Sequence, residues 1–149
     1  MSLGALIVSA DQEQIKFVKN ILRDLEMPVF GVYQTAKQAV EAYKDASSEL
    51  VIIDSFIPGT TGFELLANLK RMNDSGSFLF LNRLRTRSAL EKTLRLGVQD
   101  SLHYPVEAQV LKDSILRRKT IIAETEGEEA RIAAAASQAT PAKPPQSKK

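Results

Sequence analysis

The stretch Leu50–Leu66, LVIIDSFIPGTTGFELL, decides the fold of this chain. Leu50, Val51, Ile52 and Ile53 form a short, continuous apolar run that ends abruptly in Asp54. A run of that length, rich in β-branched residues and closed by a turn signal, reads as a strand buried on both faces. Pro58-Gly59 supplies the turn, and GFELLANLKRM then resumes with helical spacing. A carboxylate at the mouth of a buried strand either ends the strand or belongs to a site. In open α/β sheets, sites form beyond the carboxyl ends of the strands. Asp54 is therefore the first candidate residue.

The same alternation extends outward on both sides. ALIV (Ala5–Val8) is a strand, and Ile15, Val18, Ile21, Leu22 and Leu25 then mark one helix face. Asp11, with Gln14 three residues on, has the form of a capping box at that helix's start. VFGVY (Val29–Tyr33) is a second strand, and Thr35 caps a helix marked by Ala36, Ala39, Val40 and Tyr43. Downstream, FLFL (Phe78–Leu81) is a fourth strand of core residues after the turn-forming NDSG. A helix starts near Ser88 and stops at Gly97. SLHY (Ser101–Tyr104) is a fifth strand cut by Pro105, with His103 as a packed or edge histidine. Val110, Leu111, Ile115 and Leu116 predict a fifth helix running to Ile122. Strand then helix, five times over, implies a parallel sheet covered on both faces, because each crossover must be helical and right-handed.

Composition narrows the function. Hydrophobic residues make up 44% of the 149, enough for one core. No apolar run approaches the roughly 18–20 residues of a membrane-spanning helix, and the N-terminus lacks the basic start and long apolar segment of a signal peptide. The absence of Cys excludes disulfides and thiolate-metal sites and fits the cytoplasm. A single His cannot build a multi-His metal site, and a net charge of +2 gives no argument for nucleic acid. From Glu124 the chain turns acidic, then Ala-rich, then Pro/Lys-rich, with Ile132 as its one bulky apolar residue. Such a segment buries too little to offset ordering. The expected organisation is a domain over residues 1–123 and a disordered tail over 124–149, with EEARIAAAA transiently helical.

Four segments, ALIV followed by Asp11, LVIIDSFIPGTTGFELL, FLFLNR and LGVQDSLHYPV, resemble in order the landmarks of bacterial response-regulator receiver domains. The resemblance covers about residues 4–120, and Asp54-x-x-x-Pro58-Gly59-x-x-Gly62 is its most specific part. It implies a flavodoxin-like, doubly wound five-stranded sheet of order 2-1-3-4-5, with Asp54 at the phosphoacceptor position of a two-component phosphorelay. Phosphoryl transfer to a carboxylate needs Mg²⁺ to neutralise the transferring oxygens and donors to hold the phosphoryl group. The family supplies these through an acidic pair after strand one, a Ser/Thr after strand four and a Lys before a Pro after strand five.

Each support is substituted here. The acidic pair aligns with Ser9 and Ala10, and Asp11 stands one position late, where it caps the helix. Asn82 takes the Ser/Thr position and keeps an amide donor. Arg83 takes the next, usually small position, Tyr104 stands for the Lys before Pro105, and Ser101 replaces the aromatic switch residue of strand five. A carboxylate in a partly buried pocket wants a partner, and Arg83 or Arg85 is within reach from the neighbouring strand. The resemblance thus implies a pseudo-receiver: a non-enzymatic, cytoplasmic signalling module acting by protein–protein contact, with Asp54 paired to Arg83. No cofactor is expected, and Mg²⁺ only if Asp54 is a working phosphoacceptor, with Asn82 and Arg83 as donors. A second alternative, a flavodoxin-like FMN protein, would need a hydroxyl- and Gly-rich loop where SADQEQ stands.

Arg85, Arg87, Lys92 and Arg95 read singly as a solvated face. As a group they border the helix four–strand five–helix five surface that receivers use for dimerisation or docking, which implies an acidic protein partner or a homodimer. Nucleic acid is not indicated, since no aromatic interleaving or reading helix is visible.

Overall fold

The structure, a computed structural model, describes residues 4–45, 49–73, 75–98 and 100–139. Five short apolar runs pair edge to edge: β1 (Ala5–Val8), β2 (Val29–Tyr33), β3 (Leu50–Asp54), β6 (Ser77–Asn82) and β7 (Asp100–His103). Between β3 and β6 lies a separate antiparallel hairpin, β4 (Phe56–Ile57) and β5 (Thr60–Thr61). The main sheet runs β2-β1-β3-β6-β7, and every pairing in it is parallel. This is the doubly wound order expected from the sequence, with the hairpin accounting for the shifted numbering.

Because successive side chains point to opposite faces, each strand feeds two cores. Leu6, Val8, Val51, Ile53, Phe78 and Phe80 face one layer, with Ala39 and Tyr43 of α2 (Ala36–Tyr43), Leu65, Leu66 and Leu69 of α3 (Gly62–Met72) and Ala89 of α4 (Arg87–Leu96). Ala5, Ile7, Leu50, Ile52, Leu79 and Leu81 face the other. There they meet Ile15, Val18 and Leu22 of α1 (Gln12–Asp24) and Leu111 and Ile115 of α5 (Ala108–Ala139). The central strands β1 and β3 are buried along their whole length, as continuous apolar runs require.

The caps fix where helices begin. Asp11, Thr35, Thr61 and Thr86 accept backbone N–H groups at the starts of α1, α2, α3 and α4. The box expected at α1 is half formed: Asp11 caps, but its own N–H donates to Ser9 Oγ (3.1 Å). Gly97 ends α4 in the left-handed region (φ 68°), which glycine adopts without strain. Boundaries differ by a residue from the sequence reading at both ends of β6 and β7 and at the start of α4. α4 starts at Arg87, after the Thr86 cap, and β7 starts at Asp100, because the register on β6 pairs Leu79 with Asp100.

The larger difference is at the C-terminus. α5 continues past Ile122 to Ala139, through the segment expected as a disordered tail. Ala and Glu favour helix, and no proline interrupts the segment before Pro141. Residues 140–149 lie outside the described residues. The chain divides into two units, Met1–Arg118 and Lys119–Lys149. Among the described residues, no helix is long and apolar enough to cross a membrane.

Candidate functional site: a guanidinium between two carboxylates

Parallel pairing brings the carboxyl ends of three strands together. Val8 pairs with Ile53, and Asp54 pairs with Leu81, so the residues that follow β1, β3 and β6 emerge side by side. Ser9, Asp11, Asp54 and Arg83 therefore converge at one mouth of the sheet.

Asp54 is 2% exposed, and both its oxygens are engaged. Oδ1 accepts from Arg83 Nε (2.9 Å) and from the Phe56 N–H (3.3 Å), and Oδ2 accepts from Ser9 Oγ (3.4 Å). The ion pair expected between Asp54 and Arg83 is present. The same guanidinium reaches further: its Nη2 donates to Asp11 Oδ2 at 2.6 Å. Asp11 thus works with both oxygens, since its Oδ1 caps α1 by accepting from the N–H groups of Glu13 (3.0 Å) and Gln14 (3.3 Å). A planar guanidinium with several donors suits two carboxylates in a way an ammonium does not.

The arginine is fixed from its backbone as well. Its N–H donates to the buried Ser55 Oγ (2.9 Å). Its guanidinium carbon lies 4.8 Å from the Tyr104 ring centroid and 6.0 Å from that of Phe56. Phe17 in turn packs edge to face against Tyr104, with ring centroids 6.2 Å apart. These contacts explain the directions in which the groups titrate. The hydrogen bond from Arg83 holds the Asp11 carboxyl below its ordinary value, and the bond to Asp54 pushes the already basic Arg83 higher still. Burial pushes the Tyr104 phenol up.

Gly62 makes the geometry possible. A Cβ there would lie 2.3 Å from the Asp54 carbonyl oxygen, and the Gly62 N–H instead donates to the Ser55 carbonyl at 2.9 Å. Gly59 takes φ 83° at the tip of the β4–β5 hairpin, which suits glycine. The hairpin walls a cleft of about 510 Å³ with Ala10, Asp11, Asp54 and Arg83 on its other side.

The other sequence candidates sit elsewhere. Asn82 does not reach Asp54. Its Oδ1 accepts from the Leu84 N–H (2.9 Å), and it lines a second cleft of about 420 Å³ between α4 and β7. Ser101 and His103, both exposed, lie in that cleft with Arg85 and Arg87. Lys92 lies with its Nζ 5.6 Å from the Phe63 ring, and Arg95 is exposed on α4. Pro105 is exposed, after a cis peptide bond from Tyr104. Two contributors escaped the sequence reading: Ser55 and the reach of Asp11 to Arg83. Ser55 carries a readable signal, a hydroxyl directly after the carboxylate in a buried strand. The double duty of Asp11 carries none beyond its capping pattern.

Comparison with known proteins agrees with this geometry. The response regulator receiver domain model matches residues 5–116. The transcriptional regulatory protein MalR of Bacillus subtilis is 25% identical over 120 residues, covering 78% of this chain and 51% of MalR. The chemotaxis protein CheY of Listeria monocytogenes is 21% identical over 113 residues, covering 76% of this chain and 95% of CheY. The chain thus spans about half the length of the regulator and nearly all of the chemotaxis protein. Among solved structures, the signal receiver domain of a putative Luxo repressor protein from Vibrio parahaemolyticus superposes with a TM-score of 0.77 at 20% identity, covering 87% of this chain and 98% of that one. These findings favour a receiver over a flavodoxin-like FMN protein. With five parallel strands in receiver order, an aspartate at the mouth of β3 and a family match over most of its length, the chain belongs to the response regulator receiver domain family of two-component signalling.

Proposed function

We propose that this receiver domain signals without the phosphoryl switch of its family. The observation that carries the reading is the Arg83 guanidinium between Asp54 and Asp11. It occupies the place where family members hold a divalent ion and a lysine. The residues present do not fit Mg²⁺. A hard cation needs several oxygen ligands free to turn toward it. Here Ala10 offers no side-chain oxygen, Asp11 and Asp54 are both bound to a fixed positive charge, and Ser9 already donates to Asp54. Among the described residues, no group of three His, Cys, Asp or Glu gathers anywhere.

The domain is held in one conformation and acts through its surface, in the cytoplasm, by binding another protein. The surface is that of α4, β7 and α5, where Arg85, Arg87 and Arg95 are exposed. The test is direct. The full chain is titrated with beryllofluoride and Mg²⁺ while amide resonances around Asp54 are followed. No saturable change is expected. A saturable shift there, or a stable acyl-phosphate after treatment with a small phosphodonor, overturns the reading in favour of a working phosphoacceptor.

A further inference from the structure

The two clefts treat arginine differently. In the first, Arg83 directs its donors at Asp54 and Asp11. In the second, the cleft of about 420 Å³ between α4 and β7, Arg85 and Arg87 stand at the wall and meet no carboxylate. Among the described residues no Asp or Glu lines this cleft, and neither arginine has an ion-pair partner. The floor is polar too. The register of β6 on β7 pairs Asn82 with His103, which sets the two side chains on one face of the sheet, with Ser101 two residues back on the same strand. Asn82 is only 4% exposed, and its amide is fixed in orientation because Oδ1 accepts the Leu84 N–H at 2.9 Å. The other end of that amide is Nδ2, whose hydrogens meet no acceptor among the described residues. A buried donor without a partner, beside two guanidinium groups without counter-charges, calls for an anion. The start of α4 at the same cleft adds the positive end of a helix. The remaining wall is apolar: Leu90 and Leu94 are 56% and 70% exposed, and Val98 lies between them and the floor residues in the same lining.

We propose that the α4–β7 cleft binds a small organic anion with a doubly charged head and an apolar body. The head, a phosphate monoester or a dicarboxylate, lies against Arg85, Arg87 and the Asn82 amide, and the body lies along Leu90, Leu94 and Val98. Two guanidinium groups with no acid beside them are balanced by two negative charges, and their planar forks match the oxygens of either head. The volume suits such a molecule, since small-molecule sites run from about 300 to 1,000 Å³. The inference stands apart from the behaviour of Asp54, because Asn82 turns away from that carboxylate.

The test follows the full chain by NMR with benzylphosphonate, methylphosphonate, phthalate and benzyl alcohol, at mildly alkaline pH where the first three carry their full charge. A phosphonate cannot pass its phosphorus to Asp54, so any change reports binding alone. Benzylphosphonate or phthalate should bind saturably, moving the Asn82 side-chain amide and the backbone amides of residues 84–87 and 101–103 while Asp54 stays in place. The tighter of the two assigns the head as phosphate monoester or dicarboxylate, and either supports the proposal. Methylphosphonate, which lacks the body, and benzyl alcohol, which lacks the charge, should each bind about tenfold more weakly or worse. Arg85→Ala with Arg87→Ala should cost a similar factor. Ser101→Phe, which fills the cleft from an exposed position, should abolish binding while the rest of the spectrum stays that of the folded chain. The proposal is overturned if neither dianion binds saturably, if either control binds as tightly, or if the double arginine variant or Ser101→Phe leaves affinity unchanged. Shifts centred on Asp54 would also overturn it, by placing the anion in the other cleft. A response of Asp54 to beryllofluoride and Mg²⁺ bears on the phosphoryl switch alone and appears at different resonances.

Discussion

The residues Asn82, Arg83 and Leu84 stand between two regions built on opposite plans. On one side, the polar groups at the mouth of β3 are closed on one another, a guanidinium with two carboxylates and two aromatic rings, beside a cleft of about 510 Å³. On the other, the face of α4 and β7 is left open, with leucines exposed and a cleft beneath them. The first region satisfies its polar groups internally. The second leaves its apolar groups without cover. Within one receiver fold, the position of a side chain on the sheet says little about its use. What surrounds it decides.

The largest effect should come from breaking the closed region. Arg83→Ala strands a carboxylate that is 2% exposed, and leaving a buried charge without its partner costs about 3 kcal/mol. Denaturant unfolding should show that loss, together with a Mg²⁺-dependent shift at Asp54 that the parent lacks. Asp54→Asn should cost only about 1 kcal/mol, since Arg83 keeps Asp11 and is itself partly solvated. Equal losses in the two variants would mean the pair is not the organising contact. Tyr104→Ala comes next, at about 1–2 kcal/mol, from the stack on Arg83 and the edge contact with Phe17.

Asp11→Ala should cost about 1 kcal/mol, mostly through the lost cap. Its ion pair sharpens the comparison through pH. The folded carboxyl titrates below its ordinary value of 3.8 because Arg83 hydrogen-bonds the charged form. The stability it contributes is therefore fully present above that value and lost as pH falls through the lower, folded one. Asp11→Asn should flatten the acid limb of the stability curve measured by urea unfolding. The smallest effect belongs to the open region. Leu90→Ser with Leu94→Ser should leave stability within about 0.5 kcal/mol, because neither side chain is packed. A larger loss would show that the face is already covered.

Much of this was readable from sequence. Strand runs such as Leu50–Ile53 and caps such as Thr35 are local signals, and local signals fix element order. The Asp54–Arg83 pair was legible because parallel strand order puts the residue after β6 beside the end of β3. The stack on Tyr104 was not, since ring placement depends on how the β7–α5 connection turns. The outward leucines of α4 were also hidden. Ala89/Thr93 and Leu90/Leu94 are both spaced by four, and hydrophobicity alone favours burying the leucines. Past Ile122 two signals compete in the sequence, the lack of core-forming residues and the helix preference of Ala and Glu, and α5 runs on to Ala139.

The clamp on Asp54 has one more consequence. A metal ion exchanges with solution, so a site that uses one inherits the cell's ion supply and yields to chelators. Arg83 is part of the chain and keeps its proton throughout the range in which cells live. On the reading proposed above, dialysis against a chelator should therefore leave folding stability and the Asp54 resonances unchanged. The positive charge at this aspartate is inherited with the polypeptide rather than recruited from the medium.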